Sequence, residues 1–187
     1  MALKVTVKVG NIVNLSDARY CAGMGVDLLG FPSTLALDTY RDIRGWVTGP
    51  RVVLELAPEE TDVPKLLEPF IPDLILATPA QAARVPSSVP VIFSGTAKEV
   101  RSLPDHDLKR AAYFQLSNVS LSDLPVVRTL TDMAPVLVEW PGATVWDRLL
   151  QFPNCGLALQ GSAEEKPGLT DFDYLSEILE TLEISGE

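Results

Sequence analysis

The stretch KVGNIVNLSDA, residues Lys8 to Ala18, joins a predicted strand to a predicted helix. The strand, Val5–Val9, is rich in valine, which favours a buried strand. Asn14 or Ser16 is placed to cap the helix that follows, and Asp17 lies in its first turn, where the helix dipole favours a negative charge. A buried strand, a turn and a capped helix together form one unit of an α/β fold.

The same order of elements continues to the end of the chain. The predicted strands are mostly apolar runs without alternation, which is typical of strands covered on both faces. They are Val5–Val9, Leu28–Phe31, Arg51–Leu56, Asp73–Ala77, Val89–Phe93, Ala111–Leu116, Pro135–Glu139 and Gly156–Leu159. The predicted helices are Leu15–Met24, Asp38–Val47, Val63–Phe70, Pro79–Val85, Ala97–Leu103, Leu124–Met133, Thr144–Phe152 and Asp171–Leu182. Trp46 and Trp146 fit helix faces and are predicted to be buried.

Eight strand-then-helix units in strict order predict a compact (β/α)8 TIM barrel of the α/β class, as one domain over residues 1–187. Dividing 187 residues among eight units leaves about 23 residues for each, so the helices must be short and one degenerate unit is allowed for. A doubly wound open sheet is the alternative. That fold usually has five or six strands, and the sequence has no Gly-x-Gly-x-x-Gly motif to support it.

The composition excludes several classes of function. Hydrophobic residues make up 47% of the chain and charged residues 21%, as in a folded globular protein. The net charge of −10 argues against nucleic acid and anionic membranes as partners, because both bind basic faces. No apolar run is long enough to span a membrane, and the N-terminal residues alternate like a strand rather than a secretion signal. The two cysteines, Cys21 and Cys155, have no metal-ligand spacing, so we expect a cytoplasmic protein with free buried thiols and no metal or cofactor.

Both ends of the chain resemble the phosphoribosylanthranilate isomerases, small (β/α)8 barrels of tryptophan biosynthesis. At the front, the similarity is carried by NLSDA, Asn14 to Ala18, and by AGMGVDLLGF, Ala22 to Phe31. At the back, it is carried by GLALQG, Gly156 to Gly161, and by KPGLTD, Lys166 to Asp171. The resemblance implies the same barrel, with a site at the C-terminal ends of the strands.

The chemical groups of that family are missing at the matching positions. In the family, a cysteine of strand 1 and an aspartate of strand 6 act as base and acid. Here the cysteine position is Gly10, and the aspartate position is Leu116, or Gln115 if the match slips by one residue. The phosphate-binding glycines after strand 7 are replaced by Trp140-Pro141, and after strand 8 only Gly161 remains. The resemblance therefore implies the fold of that family but does not imply its reaction.

Polar residues at the predicted strand ends are the candidate ligand-binding residues. They are Lys8, Asn11, Glu55, Gln115, Glu139, Gln160, Gly161 and Ser162. Because side chains alternate along a strand, Lys8 shares a face with Gly10 and is expected to point into the barrel. There it either pairs with an acid such as Glu55 in the barrel floor or forms a polar pocket with Gln115 and Gln160. The expected ligand is a small phosphorylated or sugar-like molecule, and the expected assembly is a monomer or a homodimer.

Three functions are compatible with these observations. The first is an isomerase-like barrel without the usual isomerase activity, a pseudoenzyme that acts as a small-molecule-binding or partner protein. The second is an active phosphoribosylanthranilate isomerase that uses substitute groups, with Asn11, Glu55 and Glu139 as the nearby candidates. The third is a structural homodimer or complex subunit.

Overall fold

A computed structural model describes residues 3–161, 164–166, 169–170 and 173–182. Its centre is a closed barrel of eight parallel strands in chain order, in which β1 pairs with both β2 and β8. The barrel strands are β1 (Val7–Gly10), β2 (Leu28–Pro32), β3 (Arg51–Glu55), β4 (Leu74–Ala77), β5 (Val91–Thr96), β6 (Ala111–Ser117), β7 (Val136–Glu139) and β8 (Cys155–Gln160). The predicted (β/α)8 barrel is confirmed, and the open-sheet alternative is wrong.

Short helices on the outside connect successive strands. They are α1 (Leu15–Gly23), α2 (Leu37–Trp46), α3 (Val63–Phe70), α4 (Ala97–Arg101), α5 (Asp105–Arg110), α6 (Leu124–Thr131), α7 (Ala143–Leu149) and α8 (Asp173–Leu182). The unit after β4 is degenerate, because a 3-10 helix over Pro79–Arg84 takes the place of the predicted α-helix. Two helices, α4 and α5, fill the connection between β5 and β6, where the sequence predicts one.

Two apolar cores stabilise the barrel. The larger core lies between the strands and the surrounding helices, and Val7, Val9 and Leu157 contribute to it from β1 and β8. The smaller core fills the inside of the barrel and consists of Leu28, Val53, Leu74, Ile92, Leu137 and Ala158. This inner cluster packs the lower part of the lumen, and Gly10, Glu55, Glu139 and Gln160 lie above it at the C-terminal ends of their strands.

Several details differ from the sequence prediction. Trp146 is buried as predicted, but Trp46 is 73% exposed. The buried face of α2 is defined by Tyr40 and Ile43, and Trp46 is the last residue of the helix and lies off that face. After β8 the chain forms a small antiparallel pair, β9 (Glu164–Lys166) and β10 (Leu169–Thr170), where no strands are predicted. None of the helices in the described ranges combines the length and the apolar character needed to cross a membrane.

Candidate functional site

Strand register determines which polar side chains point into the barrel. Residues paired across neighbouring strands face the same way, and side chains alternate along each strand. Lys8 is paired with Leu28 and Ala158, which belong to the inner apolar cluster. Gly10 and Gln160 are paired with each other two residues further along their strands. The lumen face of β1 and β8 therefore carries Lys8 at the level of the inner apolar cluster, and Gly10 and Gln160 at the C-terminal end.

Lys8 and Glu55 form an ion pair at this end of the barrel. The Lys8 side chain is fully buried and its ammonium contacts Glu55 Oε1, while the Glu55 side chain is 17% exposed. The other carboxylate oxygen, Oε2, accepts the backbone N–H of Asn11 at 2.9 Å. Asn11 has a left-handed backbone conformation (φ 54°), which asparagine tolerates better than most residues. A buried ammonium requires a partner of this kind, and of the two alternatives for Lys8 the structure shows the pair with Glu55, which lies beside the mouth.

Gly10 and Gly30 provide the space that the ion pair occupies. A Cβ atom on Gly10 would lie 2.5 Å from Glu55 Oε1 and 2.9 Å from Lys8 Nζ. A Cβ atom on Gly30 would lie still closer to Glu55 Oε1. Real Cβ atoms do not approach other heavy atoms within 3.0 Å, so a side chain at Gly10 or Gly30 would displace the carboxylate. The space beside Gly10, where the family has its cysteine side chain, is thus occupied by the Glu55 carboxylate and the Lys8 ammonium.

A second polar pair lies on β6 and β7. Gln115 faces the lumen, paired with Leu137, whereas Leu116 is buried in the outer core. Gln115 Nε2 donates a hydrogen bond to Glu139 Oε1 at 3.2 Å. Gln115 is 4% exposed, and its Oε1 is buried without a hydrogen-bond partner among the described residues. Neither Leu116 nor Gln115 titrates, so β6 supplies no acid at either position that the resemblance allows.

A cavity of about 420 Å³ opens at the mouth beside the ion pair. Its polar lining consists of Asn11, Ser33, Thr34, Glu55, Glu59 and Gln160. The volume is within the range of small-molecule sites, roughly 300–1,000 Å³. Because the described lining contains two carboxylates and no lysine or arginine, the cavity is suited to a ligand that donates hydrogen bonds.

The backbone groups that would hold a phosphate are engaged or missing. The N–H of Gly161 donates to the carbonyl oxygen of Gly10 at 2.7 Å, so it is not free to bind an anion. Pro141, after β7, has no N–H to offer. The predicted site residue Ser162 lies outside the described residues. At Gly161 and Pro141, therefore, no backbone N–H is free to hold a phosphate.

The two cysteines take no part in the site. Cys21 and Cys155 are free and buried, as predicted, and burial raises the pKa of each thiol to about 12. Thiols with such a pKa are protonated and unreactive at neutral pH. Within the described ranges, no group of three or more histidine, cysteine or acidic side chains is arranged to hold a metal ion.

The structure places the predicted site residues in two groups. Lys8, Glu55 and the backbone of Asn11 form the first group, which Gln160 approaches from β8. Gln115 and Glu139 form the second group, and Gly161 contributes only a backbone hydrogen bond. The sequence marks Gly30 as a point of close approach and Ser33 as a polar residue at a strand end, but it does not indicate a role for the cavity residues Thr34 and Glu59. Both lie in loops, where no periodic pattern identifies them.

Comparison with known proteins establishes the fold. No family model and no curated protein matches the sequence. The phosphoribosylanthranilate isomerase from Thermus thermophilus superimposes with a TM-score of 0.72 at 18% identity, over 95% of this chain and 98% of that one. The N-(5'-phosphoribosyl)anthranilate isomerase from Pyrococcus furiosus has a TM-score of 0.65 at 17% identity, with coverages of 94% and 97%.

A different enzyme shares the architecture less closely. The 3-keto-L-gulonate-6-phosphate decarboxylase from Vibrio cholerae has a TM-score of 0.59 at 13% identity, with coverages of 98% of this chain and 100% of that one. The predicted likeness to phosphoribosylanthranilate isomerases is therefore confirmed as a likeness of fold, and a fold by itself does not determine the reaction.

Proposed function

We propose that this chain is a single-domain barrel of the phosphoribosylanthranilate isomerase fold that lacks the usual isomerase activity and binds a small sugar-like molecule at the C-terminal mouth. The observation that carries the proposal is the Lys8–Glu55 pair, which fills the space beside Gly10 where the family's base would stand. The free buried thiols support a location in the reducing cytoplasm.

The loss of isomerisation follows from the groups that the site lacks. The reaction needs a general acid and a general base that face each other across the substrate. On β1, Gly10 has no side chain, and on β6 the lumen-facing residue is the neutral Gln115. Losing one positioned acid or base costs ~10²–10⁴-fold in rate, so losing both leaves no useful turnover.

The polarity of the mouth supports a sugar-like ligand over a phosphorylated one. The cavity exposes hydroxyl, amide and carboxylate groups, which bind the hydroxyls of a sugar. Lys8 is buried and already paired with Glu55, and the Gly161 N–H is engaged by Gly10. A phosphate placed here would meet Glu55 and Glu59 without a compensating positive charge.

One observation favours an active isomerase with substitute groups. Two carboxylates, Glu55 and Glu139, belong to the two polar groups at the mouth, and a carboxylate acts as an acid or a base where its surroundings suit the reaction. Both oxygens of Glu55, however, are engaged by Lys8 and by the Asn11 N–H. We therefore treat this activity as the second candidate.

One observation favours a role as a subunit. Trp46 and Ile71 are largely exposed on the outside of the barrel, at the end of α2 and directly after α3. Sedimentation of the purified chain measures its assembly state. Self-association that Trp46→Ala abolishes would support the subunit role, and a monomer at high concentration would contradict a homodimer.

Turnover of phosphoribosylanthranilate, followed by its fluorescence loss, tests the absence of isomerase activity. We expect no turnover by the natural protein. Turnover that Glu55→Gln or Glu139→Gln abolishes would overturn the proposal in favour of the active enzyme. Glu180→Gln is the matched control, because Glu180 is exposed on α8 and its substitution removes one negative charge away from the mouth.

A thermal-shift experiment with sugars and sugar phosphates tests ligand binding. A ligand present at 100 times its Kd stabilises the folded state by about 2.7 kcal/mol. For a chain of this size that corresponds to a rise in Tm of about 5–11 °C, since 1 kcal/mol shifts Tm by about 2–4 °C. We expect unphosphorylated sugars to raise Tm. A shift by sugar phosphates alone would contradict the proposed ligand class.

A further inference from the structure

A second cavity lies at the N-terminal end of the barrel, opposite the mouth. This lower cavity has a volume of about 400 Å³, within the range of small-molecule sites, roughly 300–1,000 Å³. Thr6, Asp27 and Arg51 line it at or just before the start of β1, β2 and β3. Tyr113 lines it from β6, on the opposite side of the closed barrel from β2. The lower cavity therefore extends beneath the lumen.

The lower cavity has an apolar wall. Tyr113 is paired with Ile92 of the inner apolar cluster and packs against that cluster, so its side chain faces the lumen. Ala22 and Pro50 add apolar surface from the end of α1 and from the residue before β3. Tyr113, Ala22 and Pro50 are only half-buried, so this surface is accessible from solvent. A ligand bound here is expected to have an apolar body, because removing apolar surface from water favours binding.

Arg51 is the one cation among the described residues that line the lower cavity. It is exposed, and its pairing with Leu28 of the inner cluster places it on the lumen face of β3. The ion pairs among the described residues do not include Arg51. Asp27 is the one acid in the same described lining, and its Oδ2 accepts the N–H of Val7 at 2.8 Å. The guanidinium is therefore available to an external anion.

The groups around Arg51 favour a carboxylate over a phosphate. A planar guanidinium donates two parallel hydrogen bonds to a carboxylate, and Thr6 and Thr48 bring hydroxyl groups to the same lining. A phosphate group is largely dianionic at neutral pH and would meet the Asp27 carboxylate with a single cation to compensate it. The net charge of −10 of the whole chain adds to the repulsion. A monoanion is therefore the better match.

We propose that the lower cavity is a second ligand site, and that it binds a small monocarboxylate with an apolar body. The carboxylate binds Arg51 at the rim, and the apolar body packs against Tyr113, Ala22 and Pro50. The cavity beside Glu55 is at the other end of the barrel, so the proposal does not depend on the ligand of the mouth.

NMR titration of the full, isotope-labelled chain with hexanoate, hexanol and inorganic phosphate tests the proposal. Hexanoate and hexanol have the same number of carbon atoms and differ in charge. We expect hexanoate to bind at least about tenfold more tightly than hexanol, as a charge-assisted, bidentate pair implies, and more tightly than phosphate. The amide shifts should change at Gly25, Thr48 and Gly49, and not at Asn11 and Gln160 of the mouth.

Arg51→Gln removes the cation and keeps a polar side chain. The side chain is exposed, and the backbone hydrogen bond from the Arg51 N–H to Asp27 is retained, so we expect the variant to fold. It should reduce the preference for hexanoate over hexanol to less than about threefold. Arg51→Lys keeps the charge without the planar fork and should give an intermediate preference. Arg148→Gln is the matched control, because Arg148 is exposed on α7 and does not line the lower cavity.

Several results would overturn the proposal. They are equal affinities for hexanoate and hexanol, a preference that survives Arg51→Gln or is lost in Arg148→Gln, and tighter binding of phosphate. Shift changes confined to the mouth, or no binding of hexanoate, would overturn it as well and would leave sugar binding at the mouth to its own assay. Because the shift pattern is measured on the natural protein, it decides the location of the site even if circular dichroism shows that Arg51→Gln does not fold.

Discussion

Gly10→Ala tests whether this glycine is needed to make room for the Lys8–Glu55 pair. The new methyl group would lie 2.5 Å from Glu55 Oε1, 2.9 Å from Lys8 Nζ and 3.3 Å from Gln160 Oε1. The exposed Gln160 side chain can move away, but the carboxylate and the buried ammonium are held against each other. We expect the carboxylate to rotate into the mouth cavity and to leave Lys8 without its partner.

The expected loss follows from the burial of Lys8. Removing one partner of a buried ion pair destabilises a protein by about 3–5 kcal/mol. Because Glu55 is 17% exposed and would keep part of its attraction after rotating, we expect Gly10→Ala to lower the free energy of unfolding by about 2–4 kcal/mol. The corresponding fall in Tm is about 4–16 °C for a chain of this size.

Urea denaturation followed by circular dichroism measures this loss in two backgrounds. The first background is the natural sequence, and the second carries Lys8→Met and Glu55→Ala, which remove both charges and the obstructing carboxylate. In the second background we expect Gly10→Ala to cost less than about 0.5 kcal/mol, which gives a coupling free energy of at least 1.5 kcal/mol. An equal cost in both backgrounds would refute the reasoning.

Gly30→Ala is the matched control for this cycle. Its Cβ would also meet Glu55, but it would lie 3.0 Å from the backbone Cα of Gly10 as well. Removing the ion pair relieves the first contact and leaves the second, so Gly30→Ala should stay destabilising in both backgrounds. Full rescue of Gly30→Ala would show that the barrel backbone adjusts more easily than this geometry implies.

Three further predictions concern positions away from the mouth. Gly45→Ala should raise the free energy of unfolding by about 0.5–1 kcal/mol in urea denaturation, because a Cβ there meets nothing within 4 Å inside α2; a loss of stability would contradict this. Tyr40→Phe should cost about 1 kcal/mol, since it leaves the buried carbonyl of Phe70 without its hydroxyl donor, and an unchanged Tm would count against that bond. The free energy of unfolding should decline as pH rises from 9 to 12, because burial raises the pKa of Cys21 and Cys155 from 9.0 to about 12 and only the unfolded thiols ionise in this range. The free energy of unfolding of the Cys21→Ala/Cys155→Ala variant should decline less steeply with pH. Identical slopes for the two proteins would contradict the raised pKa of the thiols.

The barrel could be predicted from the sequence because each strand is a distinct apolar run. The prediction for β2, Leu28–Phe31, ends one residue before the observed strand, and the prediction for α3 matches the observed helix over Val63–Phe70. The connection after β4 was harder to predict, because Pro79 and the Thr78 capping box begin a turn that closes as a 3-10 helix. Propensity does not distinguish so short a helix from an α-helix.

The site was only partly predictable. Alternation along β1 places Lys8 inside the barrel, and the need for an acid points to Glu55. The unpaired oxygen of Gln115 depends on side-chain orientation across two strands, which the order of residues does not reveal. The clash that excludes a side chain at Gly30 likewise depends on where the Glu55 carboxylate lies, which is a property of the assembled barrel.

The interdependence of Gly10, Lys8 and Glu55 limits the evolutionary paths open to this sequence. Replacing Gly10 alone meets the carboxylate, losing Glu55 alone leaves a buried ammonium, and losing Lys8 alone leaves Glu55 Oε1 without its cation. We therefore expect the three positions to change together rather than singly, because a thiol at position 10 requires the carboxylate of Glu55 to move or to be replaced.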